Sequence, residues 1–231
     1  MPADRFTMQP GIAILGGTGA LGSGLARRWV RAGHAVILGS RSAEKAAASA
    51  AGLAVPPGVA PVRGLGLVDA VRAADVVVLT VPFASHAATL DEIAPHCAGK
   101  IVVDATVPLA PPKLGTVQMP AEGCAAVQAR HRLGAGAIVV SAFHNVSAHR
   151  LQSDEAIECD VLVFGDDREA RAAVIRLVEA AGLRGLHGGP LANSVAAEAL
   201  TSVLITINRL YKVDGGAGIR IVGKTADGGS I

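Results

Sequence analysis

Seven residues, Gly16-Gly17-Thr18-Gly19-Ala20-Leu21-Gly22, constrain this chain more than any other stretch. They follow a short apolar run at 11–15 and open a segment, 19–32, whose Leu21, Leu25, Trp29 and Val30 recur at helical spacing. Gly17, Gly19 and Gly22 fit G-x-G-x-x-G. In that motif the first glycine permits a tight turn and the second lets the backbone approach a pyrophosphate. The third allows close packing of helix on strand. The helix start then offers unpaired N–H groups and a positive dipole end to phosphate. A strand, this turn and a helix predict the first βαβ unit of a dinucleotide-binding fold.

The rest of the chain continues the alternation. Short β-branched runs at 35–39, 59–63, 75–81, 100–105 and 138–142 read as strands, with helices at 42–51 and 85–96 between them. Their nearly continuous apolar character indicates strands covered on both faces, as in a parallel sheet. After Asn145 the order becomes strand 160–165, helix 167–181, strand 183–187 and a long helix opened by Pro190 and running to about Lys212. The predicted fold class is α/β, a Rossmann-type doubly wound parallel sheet with a small C-terminal α/β lobe. The expected division is a cofactor-binding domain at 1–146 and a substrate and dimerisation lobe at 147–231. The helix after Pro190 is apolar almost all round, which predicts that a second copy covers part of it and makes a homodimer. The tail after Gly223 is expected to be mobile.

Composition removes several classes of partner. A formal charge of +2 and 3% aromatic residues speak against a nucleic-acid surface, whether electrostatic or stacking. Hydrophobic residues at 51% raise the membrane question, but the most apolar stretch, 191–211, is interrupted by Asn193, Glu198, Asn208 and Arg209. No spanning segment and no signal peptide are expected. Three widely spaced cysteines, Cys97, Cys124 and Cys159, fit reduced thiols in a cytoplasmic protein.

The end of the second strand selects the cofactor. An NAD site would carry Asp or Glu there to accept the ribose 2′-hydroxyl. This chain has Ser40-Arg41, with Lys45 one helical turn on. A guanidinium pairs with phosphate bidentately, so the expected cofactor is NADP(H). Three other motifs fail on context. The run 218–225 matches the P-loop pattern, but only six residues follow, too few for the helix a P-loop requires. Ser42-Ala43-Glu44-Lys45 resembles an acyl-transfer Ser-x-x-Lys without its companion motifs, and Ser42 reads as a helix cap. The seven histidines show no metal-ligand spacing, so no metal site is expected.

Segments in a fixed order carry a resemblance. Gly16-Gly17-Thr18-Gly19, Ser40-Arg41 with Lys45, and Thr80-Val81-Pro82-Phe83 are followed by Ser141-Ala142-Phe143-His144, then Gly189-Pro190-Leu191-Ala192-Asn193-Ser194 and Glu198 to Asn208. From Ile12 to about Ile221 the chain resembles the NADPH-dependent reductases of coenzyme F-420 (F420), the 8-hydroxy-5-deazaflavin carrier. The resemblance implies that Gly17, Thr18, Gly19, Ala20 and Leu21 hold the pyrophosphate and that Ser40, Arg41 and Lys45 hold the 2′-phosphate. It implies Thr80, Val81 and Pro82 beside the ribose and nicotinamide. His144 would be the catalytic residue, with Asn145, Val146 and Asn193 at the deazaflavin. Two positions depart from the family pattern: Asp104-Ala105-Thr106 stands where an uncharged Ser-Pro pair is common, and Ala192 replaces a common serine. Hydride transfer between two rings needs close stacking in dry surroundings more than a strong acid or base. Two alternatives stay open: an NADPH-dependent reductase of another acceptor (a flavin, an imine or a small carbonyl), and a non-catalytic NADP-binding redox sensor.

Overall fold

The computed structural model describes residues 10–224 and 226. The first half alternates β1 (Ile12–Leu15), α1 (Ala20–Arg31), β2 (Val36–Ser40), α2 (Ala43–Ala51), β3 (Arg63–Gly66), α3 (Leu67–Arg72), β4 (Val76–Leu79) and α4 (Phe83–Ile93). There follow β5 (Ile101–Asp104), α5 (Ala125–Leu133), β6 (Ile138–Ser141), α6 (Ala148–Leu151), β7 (Asp160–Gly165), α7 (Arg168–Ala180), β8 (Arg184–Gly189) and α8 (Ser194–Tyr211). Eight strands form one sheet in the order β3-β2-β1-β4-β5-β6-β7-β8. All pairings are parallel except β6 with β7. The first six strands thus have the doubly wound order, with its switch point between β1 and β4, and β7, α7 and β8 form the C-terminal α/β addition.

The buried strands explain the apolar runs. Every residue of β1, β4 and β5 is buried, and separate clusters of Val, Leu, Ile and Ala cover the two faces of the sheet. The single tryptophan, Trp29 on α1, sits in one of these clusters. Its Nε1 donates to the Leu177 carbonyl of α7 at 2.7 Å, and its ring meets Phe143 edge-on at 5.8 Å. Arg28, one residue earlier, donates to the carbonyls of Ser153 and Glu155 at 2.9 Å and of Ala181 at 3.0 Å. These bonds fasten the return connection and the end of α7 onto α1, which lets β7 enter beside β6 in the opposite direction.

Three boundaries depart from the sequence reading. The third strand lies at Arg63–Gly66, after the apolar run at 59–63, because Pro56, Pro57 and Pro61 keep that run in a loop. Gly64 then allows α2 to rest on the strand: a Cβ there would stand 2.1 Å from the Ala46 carbonyl carbon. Helices α3, α5 and the one-turn α6 stand where the sequence reading has no element. The long helix starts at Ser194, after a 3-10 turn over Leu191–Asn193.

By length and composition Leu191–Tyr211 is enough for a bilayer span, with mean hydropathy 1.2, contrary to the expectation of none. Its Glu198, only 1% exposed, is bonded into the protein instead. The P-loop-like run is a strap along β7, since Asp160 N–H donates to the Ile219 carbonyl and Ile221 N–H to the Asp160 carboxylate. No helix follows it among the described residues. The tail after Gly223, expected to be mobile, lies mostly outside the described residues.

Candidate active site

A cavity of about 580 Å³ opens at the carboxyl ends of β1, β2, β4 and β5. Of the residues singled out by sequence, Thr18, Gly19, Ala20, Leu21, Ser40, Arg41, Thr80, Val81 and Pro82 line it. Gly16 lines it beside Gly19, while Gly17 and Gly22 are buried beneath. Gly16 turns the chain at φ 84°, and a Cβ on Gly22 would meet Thr80 Oγ1 at 2.7 Å and the Gly16 carbonyl at 2.8 Å. Gly17 faces Leu38 and the Ile14 carbonyl rather than the cavity. Thr80 Oγ1 donates to the Leu15 carbonyl and ties the ends of β4 and β1 together. The N-cap of α1 is Gly19, with no side-chain cap and no acid in the first turn, so the helix start is left for an anion.

Around the second strand end, Ser42 caps α2 by accepting from Lys45 N–H at 3.2 Å, and its hydroxyl donates to Glu44. Arg41 is exposed on the cavity wall, whereas Lys45 stands outside the lining. A ring of buried polar groups lies behind the wall at β5. His86 Nε2 meets Asp104 at 2.7 Å, both side chains being fully buried, and Asp104 also accepts from Thr106 N–H. Gln128 donates its amide to Glu122, which turns its carbonyl oxygen toward His86 Nδ1 at 3.2 Å. Both ring nitrogens of His86 therefore donate. Burial opposes its charge, but the hydrogen bond and charge of Asp104, with Gln128, raise its pKa overall. Thr106 Oγ1, on a lining residue, has no partner among the described residues.

His144 follows β6 by three residues, past a turn where Phe143 adopts φ 70°. Its strand is the neighbour of β5, and Asp104 pairs in register with Ser141. His144 is 7% exposed, and burial lowers its pKa to about 4, so the ring is neutral. Nε2 lies 3.3 Å from Ser141 Oγ, while Nδ1 is buried and has no partner among the described residues. Asn145 donates to the Ala197 carbonyl at 2.9 Å and Asn193 to the Gly188 carbonyl at 3.0 Å, so both amides brace the ends of α8 and β8. Val146 is buried next to them. None of these four lines the cavity that holds the glycine turn.

Sequence reasoning passed over the second buried acid. Glu198 accepts from Ala125 N–H at 2.7 Å and Ala126 N–H at 3.1 Å, capping α5 from α8, and from Ser194 Oγ at 2.9 Å. Ser194 Oγ in turn contacts Ser141 Oγ. A carboxylate inside an apolar helix was the available signal. Burial pushes Glu198 up to about 7 against the pull of its three donors.

Comparison with known proteins bears on what occupies this site. A family profile described as NADP oxidoreductase, coenzyme F420-dependent, matches residues 11–108. The F420-dependent NADP reductase of Methanothermobacter thermautotrophicus is 40% identical, over 91% of this chain and 94% of its own. That of Methanocaldococcus jannaschii is 39% identical, over 91% and 97%. A crystal structure from Arthrobacter, described as a putative F420-dependent NADP reductase, superposes with a TM-score of 0.76 at 26% identity. It covers 93% of this chain and all of its own.

Proposed function

The chain belongs to the F420-dependent NADP reductase family, and from that premise we propose that it transfers hydride between NADP(H) and the deazaflavin coenzyme F420. It is an oxidoreductase with two small-molecule co-substrates. The observation that carries this reading is the cavity itself, where an uncapped helix start, Ser40 and Arg41 are set for a dinucleotide phosphate at the sheet's switch point.

In our reading Thr18 to Leu21 receive the pyrophosphate on the N–H groups of α1, and Ser40 and Arg41 take the 2′-phosphate, with Lys45 adding charge from the next turn. Thr80, Val81 and Pro82 pack beside the ribose and nicotinamide, and Gly17 keeps the turn close to the sheet. His144 is the catalytic residue at the acceptor, and Asn145, Val146 and Asn193 shape that side of the pocket. NADPH supplies the hydride. The protein's part is to hold two rings face to face and exclude water.

Mixing the full chain with NADPH and oxidised F420 is expected to bleach the deazaflavin absorbance, and the reverse mixture to restore it. His144→Ala is expected to raise KM for F420 while leaving the Kd for NADP nearly unchanged. Reduction of an imine, flavin or carbonyl with F420 left untouched would overturn the reading.

We further propose a boundary near residue 146, with the cofactor domain before it and a lobe for acceptor binding and dimerisation after it. Helix α8 supports a homodimer, because Val195, Val203, Leu210 and Tyr211 are exposed along it, the last two at 67% and 77%. Light scattering is expected to give twice the chain mass, and Val203→Glu to give the monomer. A monomeric parent protein at all concentrations would rule the dimer out. Three free cysteines, all buried, support a reducing, cytoplasmic setting.

A further inference from the structure

Four side chains behind the proposed acceptor site form one hydrogen-bonded line from α8 to β6: Glu198, Ser194, Ser141 and His144. Its polarity follows from the donors available. Ala125 N–H and Ala126 N–H can only donate, so they fix the Glu198 carboxylate as acceptor on both oxygens. With Glu198 ionised, Ser194 must donate to it, Ser141 must donate to Ser194, and His144 Nε2–H must donate to Ser141. Nδ1 is then a bare lone pair, and it is the one ring atom of His144 left without a partner. With Glu198 protonated on Oε1 every arrow reverses. Glu198 donates to Ser194, Ser194 to Ser141 and Ser141 to Nε2, so the ring carries its proton on Nδ1.

We propose that Glu198, acting through Ser194 and Ser141, stores and releases the one proton that hydride transfer to the deazaflavin consumes, by switching His144 between its two tautomers. The proposal rests on the F420 reading of the site. The step balances. Hydride leaves NADPH C4 for the deazaflavin carbon, which leaves negative charge on the pyrimidine side of that ring. The Nδ1–H proton neutralises it, Ser141 reprotonates Nε2, Ser194 reprotonates Ser141 and Glu198 reprotonates Ser194. The chain ends with a carboxylate and no charge on the imidazole. Oxidation of the reduced deazaflavin by NADP runs the same line backwards.

The surroundings suit an acid that changes charge near neutrality. Asp104 and His86 face Glu198 as a paired anion and cation. Cys124 faces it before α5 as a neutral thiol, pushed up to about 11 by burial and by Glu198 itself. His144 is neutral, and the start of α5 contributes the positive end of its dipole. Glu198, Ser194 and Ser141 are 1%, 0% and 0% exposed, so bulk water does not enter the line. In this arrangement the three are positioning residues and His144 alone is catalytic.

The test reads the tautomer directly, without any acceptor present. In the full-length protein carrying 15N-labelled histidine, with His144 assigned by His144→Gln, long-range 1H–15N spectra are recorded from pH 5.5 to 9. The ring is expected to stay neutral and to pass from Nδ1–H at the acid end to Nε2–H at the alkaline end. Glu198→Gln, which has no acid proton to lose and must set its NH2 against Ala125 N–H or Ala126 N–H, is expected to hold one tautomer throughout. Ser141→Ala, which leaves the α5 cap untouched, is expected to abolish the switch even if Glu198→Gln folds poorly.

Single-turnover hydride transfer to F420 is expected to slow about a hundred-fold in Ser141→Ala, the low end for a positioned proton donor, and to lose its pH dependence near neutrality. KM for NADPH should not move. One tautomer at every pH, a switch that survives Ser141→Ala, or an unchanged rate profile in that variant would each overturn the relay. A switching His144 in a protein that does not reduce F420 would overturn the reductase reading and leave the switch intact.

Discussion

Asp104→Ala is expected to lower the stability of the protein by about 3–5 kcal/mol, the loss that follows when one partner of a buried ion pair is removed. The variant leaves His86 fully buried, with both ring nitrogens set to donate and only the Gln128 carbonyl to receive them. It also strips Thr106 N–H of its acceptor. Asp104→Asn is expected to cost much less. Its oxygen can keep Thr106 N–H while its NH2 donates to a neutral His86 that retains its proton on Nδ1. The pH dependence fixes the sign. Because the folded pKa of His86 is raised above 6.5, the paired state stabilises the fold fully below that value, and the contribution is lost as pH rises through the raised pKa. The gap between parent and Asp104→Ala should therefore be widest on the acid side of 6.5 and narrow as pH rises. Urea unfolding at several pH values measures it. A cost under 1 kcal/mol at pH 6 would show that His86 and Asp104 do not form an ion pair.

Arg41→Ala is expected to remove most of the preference for NADP over NAD. A guanidinium on a phosphate contributes about 1.5–3 kcal/mol, or more than tenfold in affinity. Arg41 lines the cavity, exposed and without an acidic partner among the described residues, so its fork is open to a ligand. The nearest acid in sequence, Glu44, is engaged by the Ser42 hydroxyl. Titration with both cofactors should give a Kd for NADP that rises at least tenfold in the variant, with the Kd for NAD hardly changed. Equal affinities of the parent protein for the two would remove the 2′-phosphate from the argument.

The cofactor half was legible because its signals are local. The glycine turn, the Ser40-Arg41 pair and the buried strands each declare themselves within a few residues, and the sheet order follows from the alternation of strand and helix. What escaped was built from distance. Asp104 and Glu198 were visible as acids in apolar surroundings, but their partners His86, Ala125 and Ala126 lie 18 to 73 residues away and reach them only through the fold. Helix α5 was missed because its cap comes from another helix, its own N-cap residue Cys124 having no capping side chain of the Ser, Thr, Asp or Asn type. The third strand was misplaced because glycines, poor strand formers, occupy the position where α2 comes down to backbone contact.

Trp29 gives this architecture an optical consequence. It is the chain's only tryptophan, fully buried, and it joins three parts: α1 behind the glycine turn, the Leu177 carbonyl of α7, and the ring of Phe143 beside His144. Its intrinsic fluorescence therefore reports a single junction free of other indoles, where α1, α7 and the loop carrying His144 meet. Emission from an indole in that dry setting lies at short wavelength and overlaps the absorption of a dihydronicotinamide. One chromophore thus registers both the packing of α7 on α1 and the arrival of NADPH, and no label has to be introduced to follow either.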